Sequence, residues 1–202
     1  GMVLEDAATD ALHWARAHMR TERGDRLSFR DAPYLGDILL DDRPEQVVMK
    51  CAQSRMTVTY LAKIFWRLCE QPAPGRGKAR TCIYTFPTAS DVTEFSAARA
   101  KPAIAASPYL STAMGSTDNA GLKAFGNGST IYFRGTWTDR AAISVPADIL
   151  AHDELDRSKP DTLQIYSDRT RASDDPRVYA FSTPTVPGFG ISAHWERTDQ
   201  QE

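Results

Sequence analysis

No apolar run in the 202 residues approaches the roughly 18 that a membrane-spanning helix requires, so no membrane span is expected. The N-terminus reads Glu5-Asp6-Ala7-Ala8-Thr9-Asp10, acidic where a secretory signal is basic and then apolar, and a cytoplasmic protein is the expectation. Gly1 before Met2 reads as an expression remnant and is set aside. Cysteine is scarce. Cys51, Cys69 and Cys82 show no Cys-x-x-Cys spacing, which excludes a disulfide framework and a zinc site and leaves them as small core residues. Charge of one sign is missing too: 24 basic against 26 acidic residues give a net charge of -2, so the chain has no overall electrostatic footprint for nucleic acid. Internal repeats and low-complexity tracts are absent. What is present is a 42% hydrophobic, 25% charged composition on a chain short enough for one core.

Periodicity orders that core. Ala8, Leu12, Ala15 and Met19 recur at helical steps and predict a helix over Leu4–Met19, with Gly24 closing the region. Gln46-Val47-Val48-Met49-Lys50 reads as a buried strand, and Val58, Leu61, Ala62, Phe65 and Leu68 predict a helix opened by Thr57. Residues 71–78, rich in Pro and Gly, read as a linker. Thr81–Phe86 reads as a second strand, followed by a helix from Ser90 that stops before Pro102. Asn127-Gly128 between Leu122–Phe125 and Thr130–Phe133 is a strong hairpin signal. Ile149–His152 and Val178–Phe181 read as strands, with a helix through Leu163 and Tyr166 between them and a last strand over Gly190–Trp195. Strands alternating with helices predict an α/β fold with a mainly parallel sheet and one antiparallel hairpin.

In such a sheet, ligands bind beyond the carboxyl ends of the strands. Three of these ends are polar: Lys50 through Thr57, Asp153-Glu154, and Ser182-Thr183-Pro184. Each has an ordinary reading alone, as a turn or a solvated strand end. Together and in this order they match a P-loop ATPase. In that scheme Lys50 neutralises phosphate, Thr57 and Asp153 serve Mg²⁺, and Glu154 activates water. The loop departs from the Gly-x-x-x-x-Gly-Lys-Ser/Thr signature, since Arg55-Met56 replaces Gly-Lys and no glycine lies between Lys50 and Thr57. A plain strand-to-helix loop therefore stays open as the alternative.

From about Trp14 onward the chain resembles the ATPase portion of phage terminase large subunits of the lambda type. The likeness is carried by Val47–Thr57, similar to a strand followed by Lys-x-Ala-Gln-x-Gly-x-Ser/Thr, by Phe125-Gly126-Asn127-Gly128-Ser129, by Pro146-Ala147-Asp148 leading to His152-Asp153-Glu154-Leu155-Asp156, and by Phe181-Ser182-Thr183-Pro184-Thr185. Trp195–Gln201 resembles the segment leading to the family's later parts. The resemblance implies a RecA-like, ASCE-type P-loop core, with residues 1–45 as a helical lead-in, 46–202 as the ATPase core, and the nuclease domain absent. It implies ATP hydrolysis with Mg²⁺ to power viral DNA packaging, and as partners DNA, a small terminase subunit and a portal protein, in a homo-oligomeric ring. Residue by residue it implies Lys50 and Glu154 as catalytic groups, Gln53, Ser54, Arg55, Met56 and Thr57 with Lys50 around the nucleotide, Thr57 and Asp153 at the metal, and Ser182 and Thr183 as the coupling segment. Arg55 stands where the family has glycine, and either crowds the phosphate or binds it.

Phe29 and Tyr34 are candidates for stacking on adenine, and Arg134 and Arg140 for an arginine finger acting across a subunit boundary. His152 reads as a packed neighbour of Asp153, and Trp14, Trp66, Trp137 and Trp195 as core or interface residues. Two rival readings stand beside the ATPase: a non-hydrolysing ATPase fold serving as an assembly module, and a helicase or translocase domain of another family.

Overall fold

A computed structural model describes residues 10–21, 23–70, 79–137 and 144–198. The strongest sequence periodicity gives the longest helix, α3 (Met56–Glu70), preceded by α1 (Ala11–His18) and α2 (Tyr34–Leu40). Asp10 caps α1 by accepting from the His13 N–H. Residues 4–9 of the expected first helix and the expected linker at 71–78 lie outside the described residues.

The strands are β1 (Glu45–Met49), β2 (Thr81–Phe86), β3 (Met114–Asn119), β4 (Leu122–Phe125), β5 (Thr130–Gly135), β6 (Ile149–Asp153) and β7 (Arg177–Ser182). They form one sheet in the order β1-β7-β6-β2-β5-β4-β3. From β1 through β5 the pairing is parallel, and β4 and β3 extend it antiparallel. The expected mixed sheet is present, with the Asn127-Gly128 turn joining β4 to β5 and Gly128 at φ +88°.

Side chains alternate across this sheet with the strand period. Cys82, Tyr84, Ile149, Ala151, Tyr179 and Phe181 face the main core, which α1 and α3 fill with Trp14, Leu61, Phe65 and Leu68. Each large side chain buried there contributes about 1.5–3 kcal/mol. On the other face Ile83 and Leu150 meet Tyr166 of α7 (Pro160–Ser167), while Ala180 meets Leu155 and Ile191 of α8 (Gly190–Trp195). The segment before β1 is tied to α3 and β7 by ions as well. Buried Arg67 on α3 donates to the Tyr179 hydroxyl at 2.9 Å and pairs with Asp42, whose carbonyl also accepts from Arg177.

Four expectations need correction. Gly190–Trp195 is a helix, because Ile191 and Trp195 stand four apart on one face and the Ile191 N–H is bonded to a side chain instead of a neighbouring strand. The helix beginning at Ala89 does not stop at Pro102: α4 (Ala89–Phe95) widens into a π turn, Ser96–Ala100, and continues as α5 (Lys101–Ala106). Pro102 falls in the first turn of α5, where a missing N–H costs little. The N-terminal cap of α4 is Thr88, in a reciprocal pair with Asp91, and not Ser90. Of the cysteines only Cys82 is fully buried, and Cys51 is exposed in the loop after β1. The strand β3, sequence Met-Gly-Ser-Thr-Asp-Asn, carries no apolar alternation because it forms the mostly exposed edge of the sheet. A short helix α6 (Pro108–Ala113) precedes it.

Gly135 ends β5 directly beneath the α4 cap. A Cβ there would stand 2.5 Å from the Thr88 carbonyl carbon and 2.6 Å from the Ala89 nitrogen, both backbone atoms. Gly135→Ala is expected to cost about 1–3 kcal/mol of stability by overpacking. Urea denaturation checks this, and an unchanged midpoint would contradict the close approach.

Candidate functional site

Because β7 lies between β1 and β6 and pairs in parallel with both, the three polar strand ends arrive at one edge. The ladder continues just past the strands: the Lys50 N–H donates to the Ser182 carbonyl at 2.9 Å, and the Glu154 N–H to the Phe181 carbonyl at 3.0 Å. The chain thereby brings Lys50, Thr57, Asp153 and Glu154 into contact. Lys50 Nζ lies 2.5 Å from Glu154 Oε1 and 3.7 Å from Asp153 Oδ1. Thr57, in the first turn of α3, donates through Oγ1 to Asp153 Oδ2 at 2.7 Å.

Asp153 is buried, and desolvation pushes its carboxyl up to about 6; the Thr57 hydrogen bond and the Lys50 charge oppose the shift, and the Glu154 charge adds to it. A further donor, absent from the sequence reading, is the Tyr84 hydroxyl on β2, 3.2 Å from Asp153 Oδ2. Tyr84 looks like any core aromatic in the sequence; only the pairing of β2 with β6 turns its hydroxyl toward the carboxylate. Asp153 Oδ1 is buried and accepts no hydrogen bond. Among the described residues no cluster of three or more His, Cys, Asp or Glu side chains is placed to bind a metal. Mg²⁺ does not need one, since it keeps several waters and takes few protein groups. The Thr57 hydroxyl and the unsatisfied Asp153 oxygen fit that requirement.

The loop from Lys50 to Thr57 reaches its shape without glycine. Gln53 and Arg55 both adopt left-handed backbone, at φ +58° and +60°. Each such residue costs about 1–2 kcal/mol relative to ordinary helical backbone. The Arg55 guanidinium donates through Nη1 to the Ser28 carbonyl at 3.1 Å, and Arg55 is also among the residues that line the cleft. Ser54 Oγ is buried without a hydrogen-bond partner, and the Ser54 carbonyl receives the Tyr34 hydroxyl at 3.5 Å. The loop and the carboxylates line a cleft of about 640 Å³, together with Phe86, Pro87 and Phe95. That volume suits a small-molecule ligand.

Other expected residues sit elsewhere. Ser182 is buried, accepts from the Asp156 N–H and donates to the Thr183 carbonyl; neither Ser182 nor Thr183 lines the cleft. Arg134 donates to the Gly121 and Phe133 carbonyls and lies over the Tyr132 ring, committed to its own hairpin. Arg140 lies outside the described residues. Phe29 is buried in the core and has no face to offer a base, whereas Tyr34 is half exposed. His152 is buried against Thr85 Oγ1 at 2.8 Å, and desolvation lowers its pKa to about 4, which keeps it neutral at pH 7. Trp14 and Trp66 are buried, while Trp137 is exposed and donates to the Arg157 carbonyl at 2.7 Å. Arg157 and Arg99 line the cleft and were not foreseen; Arg157 stands three residues after Glu154, a spacing that could have flagged it.

A parallel sheet with a lysine-bearing loop feeding a helix N-terminus, and an Asp-Glu pair one intervening strand away, defines a RecA-like P-loop NTPase core. The chain belongs to the family described as phage terminase large subunit gpA, ATPase domain, whose family model matches residues 24–202. No curated protein matches significantly. Among solved structures the fold is similar to the large terminase of bacteriophage HK97, with a TM-score of 0.78 at 10% identity over 93% of this chain and 40% of that one. It is also similar to the large terminase of the thermophilic bacteriophage D6E in complex with ADP, with a TM-score of 0.54 at 12% identity over 83% of this chain and 39% of that one. A third similar structure is the Thermus phage P74-26 large terminase ATPase domain, with a TM-score of 0.54 at 12% identity, covering 75% of this chain and 64% of that one. The chain thus spans about 40% of the HK97 terminase's length.

Arg55 offers a direct test of the loop. Arg55→Gly removes the left-handed penalty and one surface hydrogen bond, and is expected to leave stability unchanged or raise it by up to about 1 kcal/mol. Arg55→Ala keeps the penalty, loses the bond, and is expected to fall below wild type. Urea midpoints for the three proteins check the ranking; glycine ranking lowest would overturn the conformation.

Proposed function

We propose that this chain binds ATP with Mg²⁺ in the cleft beneath Lys50 and hydrolyses it, as the motor domain of a phage-encoded packaging machine. The observation that carries the reading is the convergence of Lys50, Thr57, Asp153 and Glu154 at adjacent strand ends. Lys50 supplies the cation for the β- and γ-phosphates, with backbone N–H groups at the start of α3 adding donors. Thr57 Oγ1 and Asp153 would hold Mg²⁺, which when bound neutralises charge on the phosphate oxygens. The Lys50 ammonium is engaged by Glu154. A phosphate group competes for that ammonium, and its arrival releases the Glu154 carboxylate to accept a proton from the attacking water.

The half-exposed Tyr34 beside the Ser54 carbonyl is the aromatic we assign to the nucleotide base. DNA, a small terminase subunit and a portal protein are the proposed partners of the full machine, in a homo-oligomeric ring in the bacterial cytoplasm. With a net charge of -2, this chain alone is expected to bind DNA weakly. The assembly-module reading draws on one observation, the pair of left-handed non-glycine residues in the loop. Its rival prediction is the absence of nucleotide binding.

Glu154→Gln is expected to lower the hydrolysis rate about 100- to 10,000-fold while leaving affinity for a non-hydrolysable ATP analogue with Mg²⁺ within a few-fold, as expected for loss of a general base. Phosphate release and calorimetry measure the two quantities. Retained turnover would remove Glu154 from the mechanism. Lys50→Ala is expected to weaken analogue binding at least tenfold by the same calorimetry, and unchanged binding would overturn the loop assignment. Wild-type protein that binds no analogue would favour the assembly module.

A further inference from the structure

Asp156, two residues beyond Glu154, makes contacts that its exposed-turn sequence context does not foretell. Glu154 itself has left-handed backbone at φ +53°, and the chain then makes a 3₁₀ turn, Leu155–Arg157. Within that turn the Asp156 N–H donates to Ser182 Oγ at 3.2 Å. Its carboxylate divides its two oxygens between two segments. Oδ2 accepts from the Thr185 N–H at 2.8 Å and from Thr185 Oγ1 at 2.9 Å; Oδ1 accepts from the Ile191 N–H at 2.7 Å.

The second bond matters because α8 has no cap of its own. Phe189, at its N-cap position, offers no side-chain acceptor, so the carboxylate of Asp156 serves from 35 residues away. Gly190 makes this approach possible. Its φ is +54°, and a Cβ there would stand 2.4 Å from Asp156 Oδ1 and 2.6 Å from its Cγ. Beneath the hydrogen bonds, Leu155, Ala180 and Ile191 form a small apolar cluster joined by Val47 of β1, the strand that leads to Lys50. The turn after Glu154 is therefore held from three sides: by the end of β7, by the segment that follows it, and by α8.

We propose that Asp156 is a positioning residue of the nucleotide site, locking the backbone that carries Glu154 to the 182–191 segment so that the two hold or shift position together. The role in hydrolysis rests on the reading of Glu154 as the base; the mechanical tie does not. A backbone strained at Glu154 needs such external contacts to persist. A carboxylate base displaced by about 1 Å loses on the order of 100-fold in rate.

The test uses the full chain with Asp156→Ala, Asp156→Asn and the milder Thr185→Val, each checked for folding by thermal melting. Amide hydrogen exchange without nucleotide reads the tie. Asp156→Ala is expected to speed exchange about tenfold or more in both 154–157 and 183–192, and Thr185→Val to speed both less. Faster exchange in 183–192 with 154–157 unchanged would overturn the proposal. If Asp156→Ala fails to fold, Thr185→Val and Asp156→Asn decide by the same criterion. Turnover reads the consequence: kcat is expected to fall about 100-fold in Asp156→Ala with analogue affinity within about threefold, and less in Asp156→Asn, which keeps one acceptor oxygen. Affinity falling in parallel with kcat, or neither changing, would overturn the positioning role. A wild-type chain without hydrolysis would count against the proposed function instead, and the exchange result would then judge the tie alone.

Discussion

The parallel ladder that runs from β1 through β7 to β6 is the constraint on which the site depends. Lys50 and Glu154 are 104 residues apart in the chain, and nothing local brings them together. Their meeting follows from register: Met49 is level with Ser182, and Phe181 with Asp153, so each strand delivers its last residues to the same edge. A slip of one residue in either pairing would turn every side chain on that strand to the opposite face. The alternation of Tyr179 and Phe181 toward one face and Ala180 toward the other resists such a slip. Packing on the two faces of the sheet thereby fixes the placement of the charges at its end.

Those charges are in a costly place. Asp153 is nearly fully buried, and taking a carboxylate out of water is unfavourable unless its oxygens are matched. Oδ2 is matched, by Thr57 and Tyr84; Oδ1 has only the Lys50 ammonium at 3.7 Å, beyond hydrogen-bonding distance. The raised pKa of Asp153 expresses this shortfall as a preference for the neutral form. A cation beside Oδ1 would reverse the preference, because a nearby opposite charge favours the ionised carboxylate.

Much of this was legible in the sequence, because strand ends and helix starts carry local signals. The runs at β1, β2, β6 and β7, the long α3, and the Asn127-Gly128 turn all follow from residue type and spacing. Lys50, Thr57, Asp153 and Glu154 were legible as an ordered set at those ends. What was not legible depends on contacts between distant segments. The β3 edge strand buries little and so shows no pattern. Gly190–Trp195 has too few apolar residues to separate a period of two from one near four, and the acceptor at its helix start, the Asp156 carboxylate, is 35 residues away. Tyr84 meets Asp153 only through the pairing of β2 with β6, and the Ser182 hydroxyl accepts from the Asp156 N–H, a contact that no local signal shows.

The glycine-free loop shows how a motif can depart from its pattern while the backbone keeps the shape. Glycine is favoured at such positions because left-handed conformation costs it nothing, yet the conformation is open to other residues at about 1–2 kcal/mol each. Arg55 stands where the Gly-x-x-x-x-Gly-Lys-Ser/Thr signature has glycine and takes up a left-handed conformation at φ +60°. Its long side chain reaches the Ser28 carbonyl, in the segment before β1. Together with the Tyr34 hydroxyl on the Ser54 carbonyl, this contact links the segment before β1 to the loop. The strain in the loop is thus countered by contacts to Ser28 and Tyr34, far from it in the chain.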